Sequence, residues 1–454
     1  MKQTSDQLHV LLLNEQTVAA AAEEGEAMYA LLRELFPFPR SITGAGLRAT
    51  VRRLGEVVPL EVTEVPSGTQ VFDWTVPDEW SLDEAFIENE HGQRVVDLRD
   101  SNLHVVGYSM PVDITLSLAE LRPHLHTLPE HPDWVPYRTS YYTRTWGFCL
   151  SDRILKVLPD MRYRAVIRSR LGRGSLTLAE HLHRGASDEE VLVFAHDCHP
   201  SLANDNLSGL AVAVHLAAWL YQRPTRYSYR FVFAPATIGS ITWLAMNEAR
   251  LARIRHGLVL SVLGSEGSFH YKVSRDGNRT IDRAAWHVLR TEFADARRLD
   301  FLPWGYDERQ FCSPGIDLPV GRLTRTPNGE FPEYHTSADN PALVSPAALG
   351  EAWLACLKIF EALECDVSYI NLSPKGEPQL GRRGLYRSTG GYQDVPERQL
   401  ALLWVLNQSD GGSSLLDIAE RAGLPFAVIA RAATDLERVG LLRRAPAHLT
   451  EKRS

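Results

Sequence analysis

The chain has 454 residues, 44% of them hydrophobic and 23% charged, with 31 glycines and 26 prolines; this balance excludes disordered, fibrous and collagenous classes. At about 100–200 residues per domain the length implies several domains and excludes a single small binding module. A net charge of −8 argues against a primary nucleic-acid binder, whose phosphate contacts need a concentrated basic surface.

No apolar run approaches the ~20 residues that cross a bilayer, so no membrane association is expected. The apolar stretch 9–13 is flanked by polar residues and lacks a small-residue cleavage site, so it does not read as a secretory signal. The expected compartment is cytoplasmic. Five cysteines (Cys149, Cys198, Cys312, Cys356 and Cys365) form an odd, irregularly spaced set without a CxxC pair, so reduced thiols are expected rather than a disulfide framework.

In chain order, Ala19, Ala22, Met28, Leu31, Leu32 and Leu35 fall at helical spacing, and the prolines at 37 and 39 end that pattern. From 66 to 150 short aromatic and β-branched runs alternate with Pro, Gly and Asp turns, as expected of a β-rich unit. From about 161 the pattern becomes strand, turn, helix. The run 191–195 suits a buried parallel strand, and 207–220 is a long apolar helix. This alternation predicts an α/β, doubly wound sheet, in which ligands bind at the carboxyl ends of the strands. A loop rich in Pro, Gly and Arg (373–392) precedes 395–454, where helices joined by a Gly-containing turn and followed by a short strand predict a winged helix. The expected domains are 1–65 with 151–394, an insertion at 66–150, and 395–454.

The densest polar cluster is His196-Asp197-Cys198-His199-Pro200-Ser201-Leu202-Ala203-Asn204-Asp205-Asn206, directly after the strand at Val191. Zinc takes His nitrogen and carboxylate oxygen, and hydrolytic zinc needs about three protein ligands with one position left open. The bland alternative is a loop whose Asn206 or Ser208 caps the helix that follows. Two further clusters, Asp307-Glu308-Arg309 and Glu333-Tyr334-His335, read equally as exposed loops or as site residues brought from distant strand ends.

His199-Pro200-Ser201 with Asn204-Asp205-Asn206-Leu207-Ser208-Gly209, then Tyr306-Asp307-Glu308-Arg309-Gln310-Phe311-Cys312, then Pro332-Glu333-Tyr334-His335-Thr336-Ser337, resemble the aminopeptidase-like proteins of the zinc exopeptidase clan. In particular they resemble a bacterial subfamily with an inserted β domain and a C-terminal winged helix. The likeness extends to Phe38-Pro39-Arg40-Ser41-Ile42-Thr43-Gly44 near the start and to Leu380-Gly381-Arg382-Arg383-Gly384-Leu385-Tyr386 before the winged helix. The resemblance implies a phosphorylase/hydrolase-like core with His199, Asp205 and His335 as metal ligands, Asp205 lying where the clan bridges two zincs. It also implies a glutamate base and further carboxylates, and there the chain departs. Ala236 stands where the base is expected, Thr237 where two-zinc relatives carry a second glutamate, and Ser265 where an aspartate is expected. One zinc is therefore favoured over two. Asp307, Glu333 and Cys198 are the candidate catalytic residues that remain.

Three functions follow as expectations. The first is a zinc-dependent hydrolase of an aminoacyl or peptide amide, acting on a small peptide or aminoacyl substrate. The second is a repurposed enzyme on this scaffold that uses Cys198, Asp307 or Glu333, and the third is a non-catalytic binding relative. Residues 395–454 carry eight Lys/Arg against seven Asp/Glu, too weak a basic footprint for DNA, so a protein contact or homo-oligomer role is favoured for the winged helix. Trp74, Trp80, Trp134 and Trp146 of the insertion read as core, with a lid over the site as the alternative.

Overall fold

Asn14 starts the described architecture: its side chain accepts the Thr17 N–H at 2.9 Å and caps α1 (Glu15–Leu35). The computed structural model describes residues 13–385 and 395–446. After α2 (Ala45–Leu54) come β1 (Glu61–Pro66), β2 (Glu79–Asn89), β3 (Arg94–Asp97), β4 (Val112–Ser117), β5 (Arg162–Gly172) and β6 (Ser175–His183). The α/β run follows as β7 (Glu190–His196), α3 (Gly209–Leu220), β8 (Ser228–Ala234), α4 (Ile238–Asn247), β9 (Ile254–Leu260), β10 (Phe269–Lys272), α5 (Thr280–Glu292), β11 (Arg297–Leu299), β12 (Val320–Arg325) and α6 (Pro346–Cys365). The C-terminal part contains β13 (Ser368–Asn371), α7 (Val395–Gln408), β14 (Asp410–Ser414), α8 (Leu415–Ala422), α9 (Phe426–Arg438) and β15 (Leu442–Arg444).

The main sheet has the order β1-β6-β8-β7-β9-β12-β10-β11. Its centre, β8-β7-β9-β12, is parallel, while β1, β6 and β10 join through antiparallel pairs. The expected α/β architecture is thus observed with mixed edges. All seven residues of β7 are buried. Val191, Val193 and Ala195 face one core, built with α1, α3 and α6, while Leu192 and Phe194 face a second, shared with the inserted β unit. Coverage on both faces is why the strand is continuously apolar.

Two sheets reach beyond their expected boundaries. The insertion's sheet has the order β3-β2-β5-β4, so β5, at 162–172, completes it from beyond residue 150. Strand β13 pairs with both β14 and β15, so the C-terminal unit takes its central strand from directly after α6. The expected loop 373–392 is described as far as Leu385; its remainder and residues 447–454 lie outside the described residues.

The C-terminal unit is fastened to the body. Arg283 on α5 pairs with Asp417 at 2.6 Å and with Glu420, both on α8, and the Leu416 N–H donates to Asp366 at 2.9 Å. The His287 Nε2 lies 2.9 Å from the Leu424 carbonyl, and Arg431 on α9 donates to the Leu13 carbonyl at 3.2 Å. No disulfide joins the five cysteines, all of which are buried. No described helix is long and apolar enough to cross a membrane.

Candidate metal centre

His196 is the last residue of β7 and pairs in register with Ala234, the last of β8, so it stands at the carboxyl edge where the parallel strands open. The chain then turns through Cys198 and His199 to the segment 203–208 and into α3. A Cβ at Gly209 would lie 2.6 Å from the Leu260 carbonyl at the end of β9; only glycine lets α3 start this close to the sheet. Asn206 locks the same junction, its Oδ1 accepting the Val262 N–H at 3.1 Å and its Nδ2 donating to Leu260 O at 3.1 Å.

Between these elements three imidazoles surround one carboxylate. The His196 Nε2 lies 2.9 Å from Asp205 Oδ1, and the His335 Nε2 lies 3.0 Å from Asp205 Oδ2. The His199 ring stands 5.0 Å from that of His196 and 5.1 Å from that of His335. Asp205 and His196 are wholly buried. Asp339 holds the aspartate from behind, accepting the Asn204 N–H at 2.6 Å and the Asp205 N–H at 2.9 Å.

Tyrosines wall the cluster. Tyr306 stacks on His196 with centroids 5.3 Å apart, and Tyr334 stacks on His335 at 4.0 Å. Tyr137, from the insertion, sets its ring edge-on to both His199 and His335 at 5.2 and 5.1 Å. The insertion is stitched to the His335 loop by the backbone: Tyr137 N–H donates to His335 O at 2.8 Å, and Ser337 N–H to Val135 O at 2.8 Å. Burial raises all three phenols well above their usual range, so they remain neutral.

The protonation states of Asp205 and His199 suit a cation. Burial works against the Asp205 anion, but His199, followed by the hydrogen bonds of His196 and His335, holds its carboxyl well below the usual range. Burial drives the His199 imidazole down to about 3, leaving it neutral. Burial also pulls on His196, yet the Asp205 hydrogen bond and charge outweigh it and raise that imidazole. Neutral imidazole with ionised carboxylate is the form that binds metal; His199 and Asp205 are in that form, whereas the raised His196 favours its protonated ring and has to give up that proton in order to ligate. Ligand atoms of His196, His199 and Asp205 all lie within 4.8 Å of one another. Zinc bonds of about 2.0–2.2 Å are within reach of such a set after a small contraction, so two nitrogens and an oxygen fit one ion.

The structure therefore brings His199, Asp205 and His335 together and adds His196. Cys198 is buried, with Sγ 3.9 Å from His199 Nδ1 and 4.0 Å from the Ala236 carbonyl, and burial pushes its thiol well above the usual value. Asp307 is buried beside Tyr306, its Oδ1 accepting from Ser240 at 2.7 Å while Oδ2 has no partner. Burial raises its carboxyl to about 6. Among the described residues no hydrogen bond or ion pair ties the Glu333 carboxylate to the cluster. Ala236 follows β8 with only a methyl group, and the Ser265 hydroxyl is buried without a partner. Sequence reasoning did not single out His196, although it closes the apolar run 191–195, or Asp339, four residues after His335.

Residues 29–366, which hold every member of this cluster, match the family described as a domain of unknown function, DUF4910. The chain belongs to that family. Residues 367–444 match a winged helix-turn-helix, in agreement with β13 as part of the C-terminal unit. A Clostridium acetobutylicum protein named for polysaccharide biosynthesis and an aminopeptidase-like domain is 48% identical over 423 residues, covering 93% of this chain and 97% of its own. A crystal structure from the same organism, described as a peptidase by assignment, superposes with a TM-score of 0.90 at 46% identity, covering 94% of this chain and 98% of its own. A zinc aminopeptidase from Bacillus subtilis gives 0.54 at 13% identity, covering 75% of this chain and 94% of its own. The DUF4910 chain thus has an aminopeptidase-like fold followed by a winged helix.

Proposed function

We propose that this protein is a zinc-dependent hydrolase of an aminoacyl or peptide amide bond, with one ion held by His196, His199 and Asp205 and with His335 completing the site. The observation that carries this reading is the convergence of three imidazoles on the Asp205 carboxylate. Bound zinc would supply Lewis acidity toward a carbonyl oxygen and would acidify water.

The protein's own groups do the rest. Asp205 orients His196 and His335 through one oxygen each, and Asp339 fixes Asp205 through the backbone. Asp307 takes the role of proton acceptor: its Oδ2 has no partner, and a carboxyl raised to about 6 lies close to the pH at which a base is most effective. Tyr137, Tyr306 and Tyr334 wall the cluster and offer neutral phenols. The Clostridium relative, named for polysaccharide biosynthesis and an aminopeptidase-like domain, supports an amide bond as the target.

Ala236 supports a second reading, in which the site binds such a ligand without cleaving it. General base catalysis is worth about 10²–10⁴ in rate, and a methyl group supplies none of it. Purified protein loaded with zinc and offered aminoacyl anilides separates the two. Release of the amine that a chelator abolishes supports hydrolysis; ligand binding with no turnover, and turnover gained in Ala236→Glu with Ser265→Asp, supports the binding reading.

A further inference from the structure

Lys272, the last residue of β10, pairs in register with Arg322 on β12, so two cations stand opposite each other on neighbouring strands. Like charges in that relation repel, and both residues are buried, which also strips them of water. One carboxylate answers both. Glu308 Oε1 accepts from Lys272 Nζ at 2.7 Å and from Arg322 Nη1 at 3.4 Å, and Glu308 is itself wholly buried. Lys272 Nζ also donates to the Trp304 carbonyl at 2.6 Å. Gly305, at φ 140°, lets the chain pass close to this group: a Cβ there would lie 2.5 Å from Glu308 Oε1 and 2.7 Å from Arg322 Nη1. The Arg322 guanidinium carbon lies 5.2 Å from the centre of the Tyr306 ring, and that ring is stacked on His196 at 5.3 Å.

A buried ion cluster is weak evidence for stability, because desolvation offsets the attraction among its members. Its place in the chain is more telling. Lys272 grips the segment at two points, the Trp304 carbonyl and Glu308, and between them lie Tyr306 and Asp307, the two residues of this segment that reach the metal centre. We infer that Lys272 and Arg322 are positioning residues for that centre: through Trp304 and Glu308 they fix the span 304–308, seat the Tyr306 ring against His196 and hold Asp307 in place. Glu308, which the sequence offers as a second acid beside Asp307, is thereby an anchor and not a base. The consequence for turnover rests on the hydrolase reading, but the seating of Tyr306 on His196 does not.

The seating is read by NMR from the His196 imidazole, in the metal-free full chain labelled with ¹³C at histidine Cε1. A stacked phenol ring displaces the signal of the imidazole beneath it, and Tyr306→Leu gives the size of that displacement; His196→Gln assigns the signal. Shifts are taken at the alkaline plateau of the titration, so protonation does not enter. In Lys272→Met the His196 signal is expected to move by at least half of the displacement produced by Tyr306→Leu, while His215, which bonds Glu24 at 2.8 Å and none of these residues, keeps its position. Lys272→Met leaves Glu308 only its contact with Arg322, since Oε2 has no partner. Should that variant fail to fold, Lys272→Met with Glu308→Gln removes one cation and one anion together, and the same displacement is expected. A His196 signal at its wild-type position in the folded variant overturns the inference. With zinc bound and an aminoacyl anilide as substrate, Lys272→Met is expected to lower kcat at least tenfold with KM within twofold of wild type, and an unchanged kcat overturns the role in turnover. If the wild type cleaves nothing, the hydrolase reading fails while the His196 signal still decides the seating.

Discussion

The Asp339 carboxylate accepts the backbone N–H of Asp205 at 2.9 Å, so the residue central to the histidine cluster is held by its main chain and its side chain is left for the imidazoles. The second Asp339 oxygen takes the Asn204 N–H. Replacement of Asp339 by Asn turns one acceptor into an NH2 group facing an N–H donor. Unpaired buried polar groups cost about 1–3 kcal/mol, and loss of an outer partner typically costs 10–100-fold in metal affinity. Asp339→Asn is therefore expected to lower zinc affinity at least tenfold and to reduce stability by about that energy, read by chelator competition and urea unfolding. Wild-type zinc affinity in this variant would show that Asp205 needs no such support.

His196 separates a three-imidazole site from the pair expected from sequence motifs. Its loss is expected to reduce zinc affinity by more than the ~10–100-fold typical of an outer partner, comparable with the loss of His199. Chelator competition on His196→Ala, His199→Ala and His335→Ala, with circular dichroism to confirm folding, orders the three. If His196→Ala binds zinc as the wild type does, His196 is only a hydrogen-bond partner of Asp205.

The motifs around His199, Asp205 and His335 were legible because each is a long, continuous string. His196 lay in view beside them, but spacing alone does not tell which way a strand's last side chain points, and only its pairing with Ala234 places it at the open edge. Asp339 was hidden for another reason. It acts on backbone N–H groups, which every residue carries, so no partner residue type signals its role. Strands β5 and β13 lie outside the expected boundaries because pairing across 40 or more residues leaves no local trace, whereas the alternating faces of β7 are written in its own residues.

The winged helix is held by ion pairs that can be tested one at a time. Arg283 meets Asp417 and Glu420 with about a quarter of its side chain exposed, so its net worth is on the order of 1 kcal/mol. Arg283→Ala is expected to speed amide exchange in α8 while zinc affinity stays unchanged. Equal exchange in both proteins would show that the Leu416 to Asp366 bond and the His287 to Leu424 contact hold the unit without it.

Glu361 links the first described residue to the interior of α6, its Oε1 accepting the Leu13 N–H at 2.8 Å. Burial raises its carboxyl from 4.5 to about 7; the Leu13 bond, Arg431 and Lys358 pull it down and Glu292 pushes it up. In the folded state this group holds its proton to a higher pH than in the unfolded chain. Its contribution to stability is therefore fully present below about pH 4.5 and is lost as the pH rises toward 7. At about 1.4 kcal/mol per pH unit, the loss is on the order of 2–3 kcal/mol. Glu361→Gln keeps an acceptor for Leu13 and removes the titration, so its stability should fall less than that of the wild type between pH 4.5 and 7.5. Urea unfolding of both proteins across that range decides it, and parallel curves would mean that Glu361 titrates alike in the folded and unfolded chains.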